Sequence, residues 1–357
     1  DDSTFRLAGK PGELPINKDD IAFAPATHLA HWIQTQQITS LELTELYLVR
    51  IQNYNTRLEC FITVTPELAR TQAAKADAEI KEGKYRGSLH GLPYGVKDLF
   101  DTKDISTTWG AAPYKSNVAK SDAHIVKKLR NAGAVLLGKT SCGALAYGDI
   151  WYGGVTRNPW DIREGSSGSS AGSASATAAG LVAFSIGTET QGSIISPSVR
   201  CGVTGLRPTY GRVGRTGGMT LCWSLDKIGP ICRTVEDTAI VLQAINGSDE
   251  SDPGSIPTNF SYDSEMDISK ITVGYDPQFF SENDDHILNK AILESARTTG
   301  AQVKQISLPK ADARPLQLQL QVEAAAAFEE LTKSNRDDEL RWQVDRAWPN
   351  SWRKARL

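Results

Sequence analysis

Metal ligands are few and scattered in this chain. The five histidines are His28, His31, His90, His124 and His286, and none belongs to an H-E-x-x-H pattern. His28 and His31 lie three apart on an expected helix, without an acidic ligand at metal-site spacing, and read as packing or surface residues. The five cysteines (Cys60, Cys142, Cys201, Cys222, Cys232) are odd in number, widely spread and lack a C-x-x-C pair. That excludes a zinc knuckle and a disulfide framework, and it implies reduced, mostly buried thiols in a cytoplasmic protein. No bound metal or other cofactor is expected. No apolar run is long enough to span a bilayer, so no membrane partner is expected. A net charge of −3 gives no electrostatic case for nucleic acid. The first residues, Asp1-Asp2-Ser3, lack Met and any signal pattern, so a trimmed or processed start is expected.

Small residues are plentiful where chemistry would need them. Gly165 to Pro197 opens with Gly165-Ser166-Ser167-Gly168-Ser169-Ser170-Ala171-Gly172 and closes with Gly187-Thr188-Glu189-Thr190-Gln191-Gly192-Ser193. Between them lie an Ala-rich helix candidate, Ala174 to Ala179, and an apolar run, Leu181 to Ile186. Such residues let backbone approach backbone and leave amide groups uncovered. Hydroxyls among free amides suit acyl transfer, which needs a nucleophile beside an oxyanion hole. A flexible Gly/Ser linker is the plain alternative, but a linker would not thread through an Ala helix and an apolar strand.

The 357 residues allow one large α/β domain or two smaller ones. Residues 1–20 read as a polar arm. Helices are expected from Pro25-Ala26-Thr27, from Thr39-Ser40, over Pro66 to Glu82, and from an Asp122 cap to Arg130. Strand character appears at Cys60 to Val64, before Lys97, and at Ala134 to Gly138. Thr234 caps a further helix. A strand at Lys270 to Tyr275, a helix over 285–298 and a strand at Gln302 to Ile306 follow. Residues 247–265 read as a polar surface loop. Ala324 to Leu357 reads as helical and polar, stopping in mid-pattern as though the chain continued. The alternation implies an α/β fold with a mixed or parallel sheet covered on both faces.

Three residues carry weight together. Ser193 follows Gly192 in a turn, Ser169 lies in the first Gly/Ser loop, and Lys97 ends a strand. Serine at its free pKa is a weak nucleophile and needs a base. Neither loop holds a histidine. A lysine serves if burial lowers its pKa, and a second serine can relay the proton.

The ordered segments around these residues resemble the amidase signature family. They are Gly91-Leu92-Pro93-Tyr94-Gly95-Val96-Lys97-Asp98, Asn158-Pro159-Trp160, Gly168 to Ala174, Gly187 to Ile194, Cys201 to Val213, and Ser224-Leu225-Asp226-Lys227-Ile228-Gly229-Pro230. The 24-residue separation of Ser169 and Ser193 matches the family spacing. The likeness is close from about residue 25 to 250 and looser beyond. It implies a single large domain with a mixed twisted sheet, here lacking its C-terminal part. It further implies that Ser193 is the nucleophile, Ser169 the bridging serine after a cis peptide bond, and Lys97 the neutral base. Backbone amides of Thr190, Gln191, Gly192 and Ser193 would form the oxyanion hole, and Ser170 would support the network.

Three positions depart from the family pattern. Gln191 stands where Gly is usual, Glu189 where Asp is common, and Ile195 where Arg is common. Without that Arg, Glu189 is expected to pair elsewhere, with Arg200. The implied activity is hydrolysis of a small or medium acyl amide, with ester or carbamate open to the same chemistry. The expected partner is that small-molecule amide, and a homodimer stays open. A glutaminase subunit of a tRNA-dependent amidotransferase is the alternative, and it would need partner subunits and an ammonia channel. A catalytically silent scaffold on a decayed fold is a third reading, opposed by the joint retention of Lys97, Ser169 and Ser193.

Overall fold

In a computed structural model, residues 4–281 and 286–356 are described. The chain divides into two compact units. The larger comprises Gly9–Phe260 with Leu318–Leu357, and the smaller Asp1–Ala8 with Ser261–Gln317. One boundary between them, after Phe260, falls in the polar run over 247–265.

The larger unit is built on a six-stranded mixed sheet. Its order is Thr204–Gly205, Lys227–Cys232, Phe184–Glu189, Pro93–Lys97, Val135–Thr140, Phe61–Val64. Pro93–Lys97 runs parallel to both of its neighbours, Phe184–Glu189 and Val135–Thr140. The outer pairings are antiparallel. Every residue of Pro93–Lys97 and of Val135–Thr140 is buried. Successive side chains of a strand point to opposite faces, so burial of all of them means that both faces are covered. Ser40–Leu58, Pro66–Lys81, Ala171–Ala178 and Val235–Ile245 all pack on this sheet.

Local chemistry sets these helices. Thr39 and Glu42 form a capping box, with the Glu42 N–H donating to Thr39 Oγ1 at 3.1 Å and the Thr39 N–H to Glu42 Oε2 at 2.8 Å. Pro66 opens the next helix, and Thr234 caps Val235–Ile245 by accepting the Asp237 N–H. Asp122 is not a cap. Ala123 holds that position, while the Asp122 carboxylate takes the Lys103 N–H at 2.8 Å and pairs with Arg130. The long-range partners outcompete the local N–H groups.

The Ala-rich helix runs Ala171–Ala178, three residues earlier than its sequence suggests. A Cβ on Gly172 would lie 2.2 Å from Cys60 O and 2.4 Å from Ser141 N. Both neighbours are backbone, so they cannot step aside. Gly172→Ala is expected to cost about 2 kcal/mol or more through overpacking, read as a lower thermal unfolding midpoint.

Two sequence expectations need correction. Ala324 to Leu357 is helical in part (Arg314–Ala327, Glu329–Lys333, Trp348–Ala355), but it is not a polar tail. Leu331, Leu340, Trp348 and Trp352 are buried in a cluster with Leu99, Cys142, Leu145 and Leu221. Residues 1–20 are not a plain arm either. Lys18–Ala22 is a helix capped by Asn17, and Phe5–Arg6 pairs in parallel with Tyr262–Asp263 in the smaller unit. That unit also contains parallel strands Thr272–Tyr275 and Gln302–Gln305, with helix His286–Thr298 between them.

Candidate active site

Lys97 is the last residue of the central strand and is fully buried. Its Nζ lies 2.8 Å from Ser169 Oγ, 3.1 Å from Ser170 Oγ, 2.8 Å from Thr188 Oγ1 and 3.3 Å from Thr188 O. Among the described residues, none of its hydrogen-bond partners is a carboxylate. Burial lowers its pKa to about 7, against weaker upward pulls from Cys142, Asp226 and Glu189. The neighbouring Asp98 turns away from it. Asp98 accepts the Thr108 N–H at 2.9 Å and the Thr108 hydroxyl at 2.5 Å, and it pairs with buried Lys139 at 3.1 Å. Neighbouring side chains along an extended strand point to opposite faces, which carries Asp98 away from Lys97.

Ser169 follows a cis peptide bond, as the family resemblance implied. Ser170 ties the end of the Phe184–Glu189 strand to the site: its hydroxyl donates to Thr188 O at 3.0 Å and accepts the Thr188 N–H at 3.1 Å. Ser170 N–H donates to Ser193 O at 3.0 Å, which ties the two loops together. The close approach depends on Gly187, whose Cβ, if present, would meet Ser170 Oγ at 2.6 Å.

Ser193 is 9% exposed. Its turn follows Gly192 at φ +82°, a conformation that favours glycine. The expected chain of hydrogen bonds is complete only as far as Ser169. Among the described residues, none joins the Ser169 and Ser193 hydroxyls. The sequence could order the three groups but could not fix the serine rotamers.

Glu189 shapes the nucleophile turn. Its Oε2 accepts the Ile194 N–H at 2.9 Å and the Ile195 N–H at 3.0 Å, and its Oε1 lies 3.4 Å from Arg207. Burial raises its pKa, but amides of Ile195, Ile194 and Gly192, with Arg207, outweigh burial and leave it lowered. Arg200, the partner expected from sequence, pairs with Glu164 at 2.8 Å instead. Gly192, expected in the oxyanion hole with Thr190, Gln191 and Ser193, is thus one of the residues that lower the pKa of Glu189. The Thr190 hydroxyl donates to Asp226 at 2.5 Å, and Lys227 Nζ donates to Thr190 O at 3.2 Å.

A cavity of about 420 Å³ opens beside this turn, walled by Thr188, Thr190, Arg215, Trp223, Asp226 and Lys227. Thr188, Asp226 and Lys227 had no role in the sequence analysis. Their signal was present in Gly187-Thr188-Glu189 and in Ser224-Leu225-Asp226-Lys227, but only the fold shows which side chains face the site. His28 stacks edge-on against Trp32, His90 lies 3.2 Å from Glu79, and His124 lies 3.4 Å from Asp249. The His286 side chain falls outside the described residues. Among the described residues, no group of three or more His, Cys, Asp or Glu could hold a metal, and no helix is long and apolar enough to cross a membrane.

A family model described as Amidase matches residues 42–355. The chain belongs to the amidase family. Similar to this amidase-family chain is a glutamyl-tRNA(Gln) amidotransferase subunit of Coxiella burnetii. It is 41% identical over 293 residues, covering 78% of this chain and 60% of that protein. The same subunit of Methylococcus capsulatus is 40% identical over 290 residues, covering 79% and 60%. The chain therefore spans about 60% of the length of these curated relatives. Among solved structures, the native peptide amidase of Stenotrophomonas maltophilia superposes with a TM-score of 0.82 at 29% identity, covering 94% of this chain and 75% of that one. A vestigial complex described as revealing the origins of an s-triazine catabolic enzyme gives a TM-score of 0.84 at 29% identity, covering 94% and 74%.

Proposed function

We propose that this amidase-family chain hydrolyses a small or medium acyl amide through an acyl-enzyme, using Ser193, Ser169 and Lys97. The observation that carries the reading is the contact of Lys97 Nζ with Ser169 Oγ at 2.8 Å, in a fully buried site beside the Ser193 turn. Neutral Lys97 accepts the Ser169 proton as Ser169 accepts that of Ser193, and Ser193 Oγ attacks the carbonyl carbon. Amides of the 190–193 turn stabilise the oxyanion. The proton returns through Ser169 to the leaving nitrogen, the C–N bond breaks, and water releases the acid by the same relay in reverse. The open step between Ser169 and Ser193 is of the kind that tightens when substrate binds. All donors, acceptors and the nucleophile are protein groups, so the proposal requires no cofactor. The five free, buried thiols support a reducing, cytoplasmic setting.

The test is covalent labelling by a fluorophosphonate, mapped by peptide mass spectrometry, beside hydrolysis of a panel of amides, esters and carbamates. A labelled Ser193 and turnover of an amide are expected; an unlabelled chain would support the silent-scaffold reading instead. Ser169→Ala is expected to be intermediate, slower than the parent but above Ser193→Ala, because water can partly replace the relay hydroxyl.

The similarity to amidotransferase subunits favours a second reading, a glutaminase that releases ammonia to partner subunits. Glutamine hydrolysis that appears only when such partners are added would select it.

A further inference from the structure

Lys227 opens its strand directly opposite Glu189 in the antiparallel ladder. Opposed residues place their side chains on the same face, so Glu189 is the natural ion-pair partner. It does not take that role. Its carboxylate is committed to the Ile194 and Ile195 amides and to Arg207. Lys227 is left with a neutral acceptor, Thr190 O at 3.2 Å, and among the described residues it forms no ion pair.

Other charges on the cavity wall are satisfied at contact. Arg215 makes a forked pair with Asp252, with Nε to Oδ2 and Nη2 to Oδ1 both at 2.8 Å. Asp226 accepts the Thr190 hydroxyl at 2.5 Å and the Leu221 and Cys222 amides at 2.9 and 3.0 Å. Lys227 is half-buried, and its pKa is lowered, first by burial and then by Arg207, against Glu189, Asp226 and Cys222. An ammonium partly withdrawn from water without a contact anion is poorly compensated. An arriving carboxylate would supply a charge-assisted hydrogen bond that the protein withholds.

We propose that Lys227 is an anion subsite, and that the preferred substrate is an amide carrying a carboxylate on a short chain. The proposal rests on Ser193 as the nucleophile. Lys227 Nζ is bonded to Thr190 O, three residues before Ser193, so a carboxylate held there sits beside the turn that presents the nucleophile. The half-exposed Trp223 and the uncharged Thr188 on the same wall leave room for the connecting methylenes.

The experiment compares succinamate, neutral butyramide and cationic 3-aminopropanamide, which share one chain length. In the full chain, kcat/KM should favour succinamate. Lys227→Met should reduce the succinamate-to-butyramide ratio at least about tenfold, mainly through KM, since one charge-assisted contact is worth about that factor. Lys227→Arg should keep the preference, and Lys227→Glu should turn it toward 3-aminopropanamide. Binding is measured as well, by calorimetry on Ser193→Ala. Succinamate should bind that chain more tightly than butyramide and lose the advantage when Lys227→Met is added. This arm stands even if hydrolysis is never seen, so failure of the nucleophile reading and failure of the subsite are told apart. Equal losses for succinamate and butyramide would make Lys227 a support of the turn and overturn the subsite. So would a binding preference unaffected by Lys227→Met.

Discussion

Ser193→Ala is expected to abolish fluorophosphonate labelling and to lower amide hydrolysis by on the order of 10⁴-fold or more. The size of the effect follows from the surroundings. The Ser169 hydroxyl is buried against Lys97 Nζ, and the Ser196 hydroxyl is bonded to Ser167 Oγ at 2.7 Å. Neither is placed to replace the lost nucleophile. The substitution should leave folding nearly untouched, within about 0.5 kcal/mol, because Ser193 joins the two loops through its carbonyl, which accepts the Ser170 N–H and which alanine retains. An inactive variant with a parental thermal midpoint is therefore the expected pair of results. Label that persists, or that maps to Ser169, would move the nucleophile and dismantle the mechanism.

The site was legible where it depended on order along the chain. Glycines and serines at fixed spacing, and a lysine closing an apolar strand, are properties of sequence. The central sheet positions Lys97 and Thr188 on adjacent parallel strands without further instruction. What was not legible depended on competition among partners. Glu189 had several cations to choose from, and backbone amides three to six residues ahead took most of its carboxylate. Arg207 then won the remaining oxygen over Arg200 because Arg200 had Glu164 at hand. Asp122 looked like a cap by position, but Arg130 and the Lys103 N–H offered more. Trp348 and Trp352 are separated by one helical turn among polar neighbours, so composition hid a face that packs on Leu145 and Phe328. For Asp122 and the two tryptophans the deciding partners lie beyond the reach of local pattern; for Glu189 they are local, but several cations competed with them.

Lys97 should set the pH dependence. Only its neutral form can accept the serine proton. An ordinary lysine, with a value of about 10.5, would be almost wholly charged at neutral pH. Here burial brings the value to about 7, with Cys142, Asp226 and Glu189 pulling weakly upward. The sign follows directly. Below pH 7 the ammonium dominates and the rate falls; above it the amine dominates and the rate approaches a plateau. Labelling and kcat should therefore both rise through about pH 7. Lys97→Ala should cost about 10²- to 10⁴-fold in kcat, the usual contribution of a general base, and should flatten this limb. Lys97→Arg should be no better, because a guanidinium stays charged throughout the range and keeps no lone pair for the proton. The loss should fall on kcat far more than on KM, since the amine faces the reacting hydroxyls and not the remote parts of the substrate. The pH–rate profiles of the parent and both variants decide the matter. A Lys97→Ala chain with near-parental kcat would remove lysine from the mechanism and leave Ser193 without a base. A parental limb centred near 10.5 would instead keep the base and refute the claim that burial tunes it.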